Sequence, residues 1–205
     1  MSTNETSRWD QRYAGEDYLF GQAPNRFLAA QTTRLQSGKS ALCLADGEGR
    51  NGVWLAELGL NVLSVDSSSV AQKKARRLAL ARGTHIELEL ADLSTWSFPG
   101  SRFDVVAAIF IQFAAPSLRA VLFEGIKRAL KPHGSVFLEG YRPEQLEYRT
   151  GGPSIIDNMY TEALLREAFS DFEIPELKQY DAVIEEGSGH NGMSALIDLV
   201  ARKPG

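Results

Sequence analysis

Short apolar runs alternate with helical patterns from residue 40 to residue 141, and that alternation limits what this chain can fold into. SALCLA, NVLSVD, HIELELAD, FDVVAAIFI and SVFLEGY, beginning at Ser40, Asn61, His85, Phe103 and Ser135, read as strands. Between them NGVWLAELG, SVAQKKARRLALARG and PSLRAVLFEGIKRALKPHG read as helices, the last stopped by Lys-Pro-His-Gly. Strand and helix in turn describe an α/β chain with a mostly parallel sheet covered on both faces. After Tyr141 the pattern changes: RPEQLEYRTGGPSIIDN reads as a loop-rich crossover, YTEALLREAF as a short helix capped by Thr161, and FEIPELKQYDAV and MSALIDLVARK as two more strands. The connection IEEGSGHNG is too short for a parallel crossover, so five parallel strands and a terminal hairpin are expected.

The first strand runs into LADGEGRNG, where Gly47, Gly49 and Gly52 have the spacing of a dinucleotide turn and Asp66 closes the next strand. Such a turn normally brings main-chain N–H groups and a helix N-terminus to a pyrophosphate. Asp46 and Glu48 conflict with that use, since carboxylates beside a pyrophosphate in a poorly solvated cleft cost several kcal/mol, and Arg50 offsets at most one of them. A ligand with positive charge and no phosphate removes the conflict. S-adenosylmethionine, with a sulfonium, an ammonium and a ribose, is such a ligand. Asp66 suits the ribose hydroxyls, and Asp92, closing the third strand, is placed to accept from the adenine amino group.

The remaining composition narrows the partners. A net charge of -4 gives no electrostatic footprint for nucleic acid or an anionic membrane surface, and no run approaches the length of a membrane span. A single cysteine, Cys43, excludes internal disulfides and multi-cysteine metal sites, so no metal is expected and the expected location is cytoplasmic. Cys43 itself reads as a buried apolar residue, and the run Lys73 to Arg77 as a solvated helix face. The 205 residues carry no repeat or linker and read as one domain, with a lid or cap segment over 1–38, a cofactor-binding core over 39–141 and an acceptor-side loop, helix and hairpin over 142–205.

LCLADGEGRN, VLSVDSSS, LADLSTW, FDVVAAIFIQF and RALKPHGSVFLEGY together, in this order, resemble the class I S-adenosylmethionine-dependent methyltransferases. The GRN extension and the ending EEGSGHNGMSALIDLVARKP are similar to the tellurite-resistance branch, and the opening WDQRYAGEDYLFGQAPNRFL to thiopurine methyltransferases. The resemblance implies a Rossmann-like three-layer sandwich with a seven-stranded sheet, mostly parallel, whose C-terminal strand is antiparallel. It also implies that Gly47 and Gly49 meet the methionine part of the cofactor, that Asp66 meets the ribose, that Asp92 and Leu93 border the adenine, and that Ile109 and Phe110 line the transfer mouth, with Arg50, Asn51 and Ser67 as further cofactor-binding candidates. Relatives commonly carry an acid and a further glycine where this chain has Cys43 and Ala45, and Asp46 and Glu48 are candidates to replace the missing charge.

Methyl transfer from a sulfonium needs an acceptor placed in line in a dry site, and a soft, ionised acceptor needs little general base. His190, in the expected hairpin turn, reads from the residue alone as exposed; its matching family position makes it the candidate catalytic base. His85 and His133 read as structural. Trp9, Tyr13, Tyr18 and Phe20 suit either a helix covering the sheet edge or a lid whose aromatic faces meet the sulfonium, with Arg12 or Arg26 available to an anion, and Thr150 to Asn158 is a second candidate lid. No Asn- or Asp-Pro-Pro-aromatic sequence follows the fourth strand, which disfavours nucleobase amines, and the expected acceptor is a small soft or anionic molecule, a thiol or a metalloid oxyanion such as tellurite. An NAD(P)-dependent oxidoreductase and a non-catalytic cofactor-binding protein are the alternatives. Oligomeric state is left open.

Overall fold

The computed structural model describes residues 3–205. Five strands, β1 (Ser40–Leu44), β2 (Asn61–Asp66), β3 (Glu87–Leu90), β4 (Phe103–Ile109) and β5 (Leu130–Tyr141), are parallel, and β6 (Glu173–Glu186) and β7 (His190–Arg202) form a hairpin. The seven strands are ordered β3-β2-β1-β4-β5-β7-β6, with β7 antiparallel to both neighbours. This is the expected mixed α/β sheet, including its antiparallel C-terminal strand.

Alternate residues of β1 explain the layers. Leu42 and Leu44 face a cluster built with Leu122, Phe123 and Ile126 of α5 (Pro116–Ala129) and Leu165 of α7 (Glu162–Ala168). Ala41 and Cys43 face the other side, against Phe27 and Leu28 of α2 (Arg26–Ala30), Val53 and Leu55 of α3 (Arg50–Glu57) and Ala75 and Leu78 of α4 (Ser69–Ala81). A strand buried on both faces must be apolar throughout, which is why β1, β2 and β4 are legible as continuous apolar runs. Cys43 is buried as expected, and burial raises its thiol well above the ordinary range. Thr161 caps α7 by accepting from the Leu164 N–H. At the N-terminal side, α1 (Thr3–Tyr13) is followed by a non-helical strap that crosses α4 and leads into α2.

Several boundaries differ from the sequence reading. The third strand ends at Leu90, so Asp92 lies beyond it in an Asx turn with Ser94. The hairpin strands are longer than expected and are joined by Gly187–Gly189 alone, which makes His190 the first residue of β7 rather than part of a turn. Three rungs of strand pairing next to that tip, Ile184 with Gly192, Glu185 with Asn191 and Glu186 with His190, account for the extension. Lys74 departs from its solvated-face reading: Lys73, Arg76 and Arg77 are exposed, whereas Lys74 is buried against Glu48.

Candidate cofactor and methyl-transfer site

The site lies beyond the C-terminal ends of β1, β2 and β4, where strand order reverses and α/β sheets leave a crevice. After Leu44 the main chain turns left-handed at Ala45 (φ 48°), Gly47 (φ 58°) and Gly49 (φ 84°), then enters α3. The turn frames a pocket of about 740 Å³, counting its open mouth. Of the expected site residues, Trp9, Tyr13, Asp46, Gly47, Arg50, Asn51, Asp66, Ser67, Leu93, Ile109, Phe110 and His190 line it together.

Three expected residues do not. Gly49 serves packing, since a Cβ there would stand 2.6 Å from the Ala75 Cβ of α4. Glu48 turns away, accepting from Lys74 Nζ and the Leu19 N–H, each at 2.7 Å, and so ties the strap to α4. Asp92 stands outside the lining, which its neighbours Ala91 and Leu93 supply instead.

The floor is acidic. Asp66 accepts from the N–H groups of Gly47 and Ser68 at 2.8 Å each. Burial raises its carboxyl, while those main-chain bonds restrain the rise. Asp46 accepts from Ser64 Oγ at 3.0 Å and from the Gly52 N–H, and burial pushes it up to about 7. Gly52 is needed here too, because a Cβ would meet Asp46 Oδ2 at 2.5 Å.

The roof and far wall are aromatic. Trp9 and Tyr13 stack at 5.5 Å between centroids, and Phe20 lies 6.3 Å from Tyr13 and 4.4 Å from His190. Burial, then the charges of Asp66 and Glu48, raises the Tyr13 phenol well above its ordinary range, so it stays a neutral donor. Phe110, in left-handed geometry at φ 54°, packs 4.5 Å from His190 and 4.8 Å from Tyr141. Burial lowers the His190 imidazole, with Arg50 and Arg12 acting in the same sense and Glu186 opposing.

Sequence reasoning left out Phe113, Ala45 and Ala91 as lining residues, and it placed Phe20 in the lid without a partner. Gln112 explains Phe113: its buried amide donates to the carbonyls of Tyr141 and Asn158 and accepts from the Tyr141 N–H, which pins the loop after β4. No local pattern announces that role. Among the described residues no cluster of His, Cys, Asp or Glu is arranged to hold a metal, and no helix is long and apolar enough to cross a membrane.

Residues 41–134 match the family model described as a methyltransferase domain. No curated protein matches the sequence. Among solved structures, one described as the conversion of a disulfide bond into a thioacetal group during echinomycin biosynthesis superposes with a TM-score of 0.78 at 19% identity, over 97% of this chain and 91% of that one. The N-methyltransferase NodS from Bradyrhizobium japonicum WM9, in complex with S-adenosyl-L-homocysteine, gives 0.73 at 15% identity over 98% of this chain and 100% of that one. TehB from Haemophilus influenzae gives 0.72 at 16% identity over 97% of this chain and 67% of that one. At these identities the structures speak for the fold; the matched domain speaks for the chemistry and sets aside the nicotinamide cofactor. Residues 41–134 thus match a methyltransferase domain, and the chain as a whole takes the fold of solved S-adenosylmethionine-dependent methyltransferases.

Proposed function

We propose that the chain methylates a small, soft acceptor, a thiol before an oxyanion, with His190 as general base. The observation that carries this reading is the arrangement of charge. A largely enclosed His190 sits between Phe20 and Phe110, and Arg50, the one cation lining the pocket among the described residues, is matched by Glu186 at 2.7 Å. An aromatic wall with no spare positive charge suits a polarisable sulfur better than an oxyanion. The oxyanion reading, tellurite included, rests on Arg12, whose guanidinium lies 4.5 Å over the Trp9 ring outside the lining.

The lining fits the cofactor. Asp66 keeps acceptor capacity for a ribose diol beyond its two main-chain bonds, Gly47 has no side chain to obstruct a close approach, and the faces of Trp9, Tyr13 and Phe20 suit a sulfonium. In this reading Asp46, Arg50 and Asn51 border the methionine part, Ser67 the ribose and Ala91 with Leu93 the adenine. When bound, S-adenosylmethionine supplies a methyl group on a positively charged sulfur that leaves as a neutral thioether. The chain's residues hold the acceptor in line, exclude water with the strap aromatics, and take a proton at His190. Residues 1–38 act as the lid, 39–141 as the cofactor core and 142–205 as the acceptor side, in a protein we place in the cytoplasm and away from nucleic acid.

The test is S-adenosylhomocysteine release with a panel of alkyl and aromatic thiols, selenite and tellurite. Turnover is expected with a thiol, and His190→Ala should reduce it on the order of a hundredfold or more while leaving cofactor affinity unchanged. Turnover with the oxyanions alone would overturn the thiol reading; full activity in His190→Ala would overturn the base.

A further inference from the structure

Arg50 follows the glycine turn and donates from Nη2 to Glu186 Oε2, with both side chains at 7% exposure or less. The same Glu186 oxygen lies 3.6 Å from Nδ1 of His190. That nitrogen is buried and has no hydrogen-bond partner. The separation is a few tenths of an ångström beyond a hydrogen bond, and Phe20 and Phe110 hold the ring on either side. From behind, Glu186 Oε1 accepts from Asn25 Nδ2 at 3.2 Å, and the Asn25 main-chain N–H donates to Asn51 Oδ1 at 2.9 Å. A carboxylate outside the pocket lining is thus gripped by the cofactor turn and by the residue that caps α2, and it faces the orphaned nitrogen of a ring that does line the pocket.

We propose that Glu186 is a positioning residue for His190: it engages Nδ1–H, fixes the ring's tautomer and orientation so that Nε2 is the nitrogen offered to the acceptor, and stabilises the imidazolium formed when Nε2 takes the acceptor's proton. This rests on His190 as the base. The other structural explanation makes Glu186 a counter-ion for Arg50 and nothing more. The two differ in whether His190 feels Glu186. Of the charged groups around the ring, Arg50 on α3 and Arg12 on α1 oppose its protonation and Glu186 favours it, while burial raises the Tyr141 phenol on β5 and, with the charge of Asp198, the Glu139 carboxyl behind Glu186.

The test needs no acceptor. The chain has three histidines, and the His190 imidazole signals are assigned by their loss in His190→Ala. In the full-length protein without ligand, nitrogen-15 shifts are expected to show the neutral His190 ring protonated at Nδ1. Glu186→Gln should move its titration midpoint down by about one unit or more, and Glu186→Asp should restore part of that shift. An Nε2–H tautomer in the wild type overturns the proposal even if Glu186→Gln does not fold, and an unmoved midpoint in Glu186→Gln overturns it as well. Failure of the base reading is separable, because it shows as undiminished thiol turnover in His190→Ala whatever the tautomer.

Discussion

The Tyr13 hydroxyl lies over the Cα of Gly47: a Cβ built on that glycine would stand 2.8 Å from the Tyr13 oxygen and 3.3 Å from its Cζ. The roof of the pocket rests on a residue without a side chain. Gly47→Ala is expected to displace Tyr13 and to cost about 1 kcal/mol through its left-handed main chain. S-adenosylhomocysteine affinity, measured by calorimetry, should fall at least tenfold. Undiminished affinity would show that the Tyr13 position has no bearing on the ligand.

Asp46 sets a pH dependence of stability. Unfolded, its carboxyl loses its proton near pH 4; folded, burial holds that loss back to about 7. The cost of the buried charge is therefore absent below about pH 4, grows from there to pH 7 and is constant above. Asp46→Asn removes this titration, so its effect on stability should be more favourable at pH 8 than at pH 4 by on the order of 3 kcal/mol. Urea unfolding at the two pH values measures the difference, and an equal effect at both would mean that the carboxylate is ionised throughout.

Ala45 occupies a left-handed position where its Cβ is unfavourable. Ala45→Gly is expected to raise stability by about 0.5–1 kcal/mol, net of the entropy glycine adds to the unfolded chain. A loss on thermal unfolding would mean that the Ala45 methyl contributes more by packing than its main-chain geometry costs.

Lys74 and Glu48 form a buried pair, with Lys74 also donating to the Asp17 carbonyl and Glu48 accepting from the Leu19 N–H. Lys74→Met leaves Glu48 buried without its counter-ion and should cost about 3–5 kcal/mol. Adding Glu48→Gln should recover part of that loss. Limited proteolysis within residues 14–21 should accelerate in the single variant, and an unchanged cleavage rate would separate the strap from the pair.

The sheet was legible where burial on both faces forces an apolar run, as at β1, β2 and β4. The tip of β6–β7 was not, because IEEGSGHNG alternates charge and glycine on an edge strand and its neighbour, and that pattern is indistinguishable from a loop until the strands are paired. Asp46 and Asp66 were readable as pocket acids because the turn and the strand end place them directly. Glu48 has the same spacing but a partner 26 residues away, and only the packing of α3 on α4 reveals it. His190 was readable as a candidate and misread as exposed, since the rings that bury it, Phe20 and Phe110, come from the strap and the loop after β4.

Leu19 is held at both ends, its N–H by Glu48 and its carbonyl by the Gly189 N–H at 2.8 Å. Residues made early in synthesis thus wait for residues made late. A nascent chain halted on the ribosome before residue 187 has five parallel strands, both floor carboxylates and the Glu48 anchor of its strap, but lacks the second anchor at Gly189. The strap over the pocket therefore gains its second fastening only after the hairpin tip has cleared the exit tunnel.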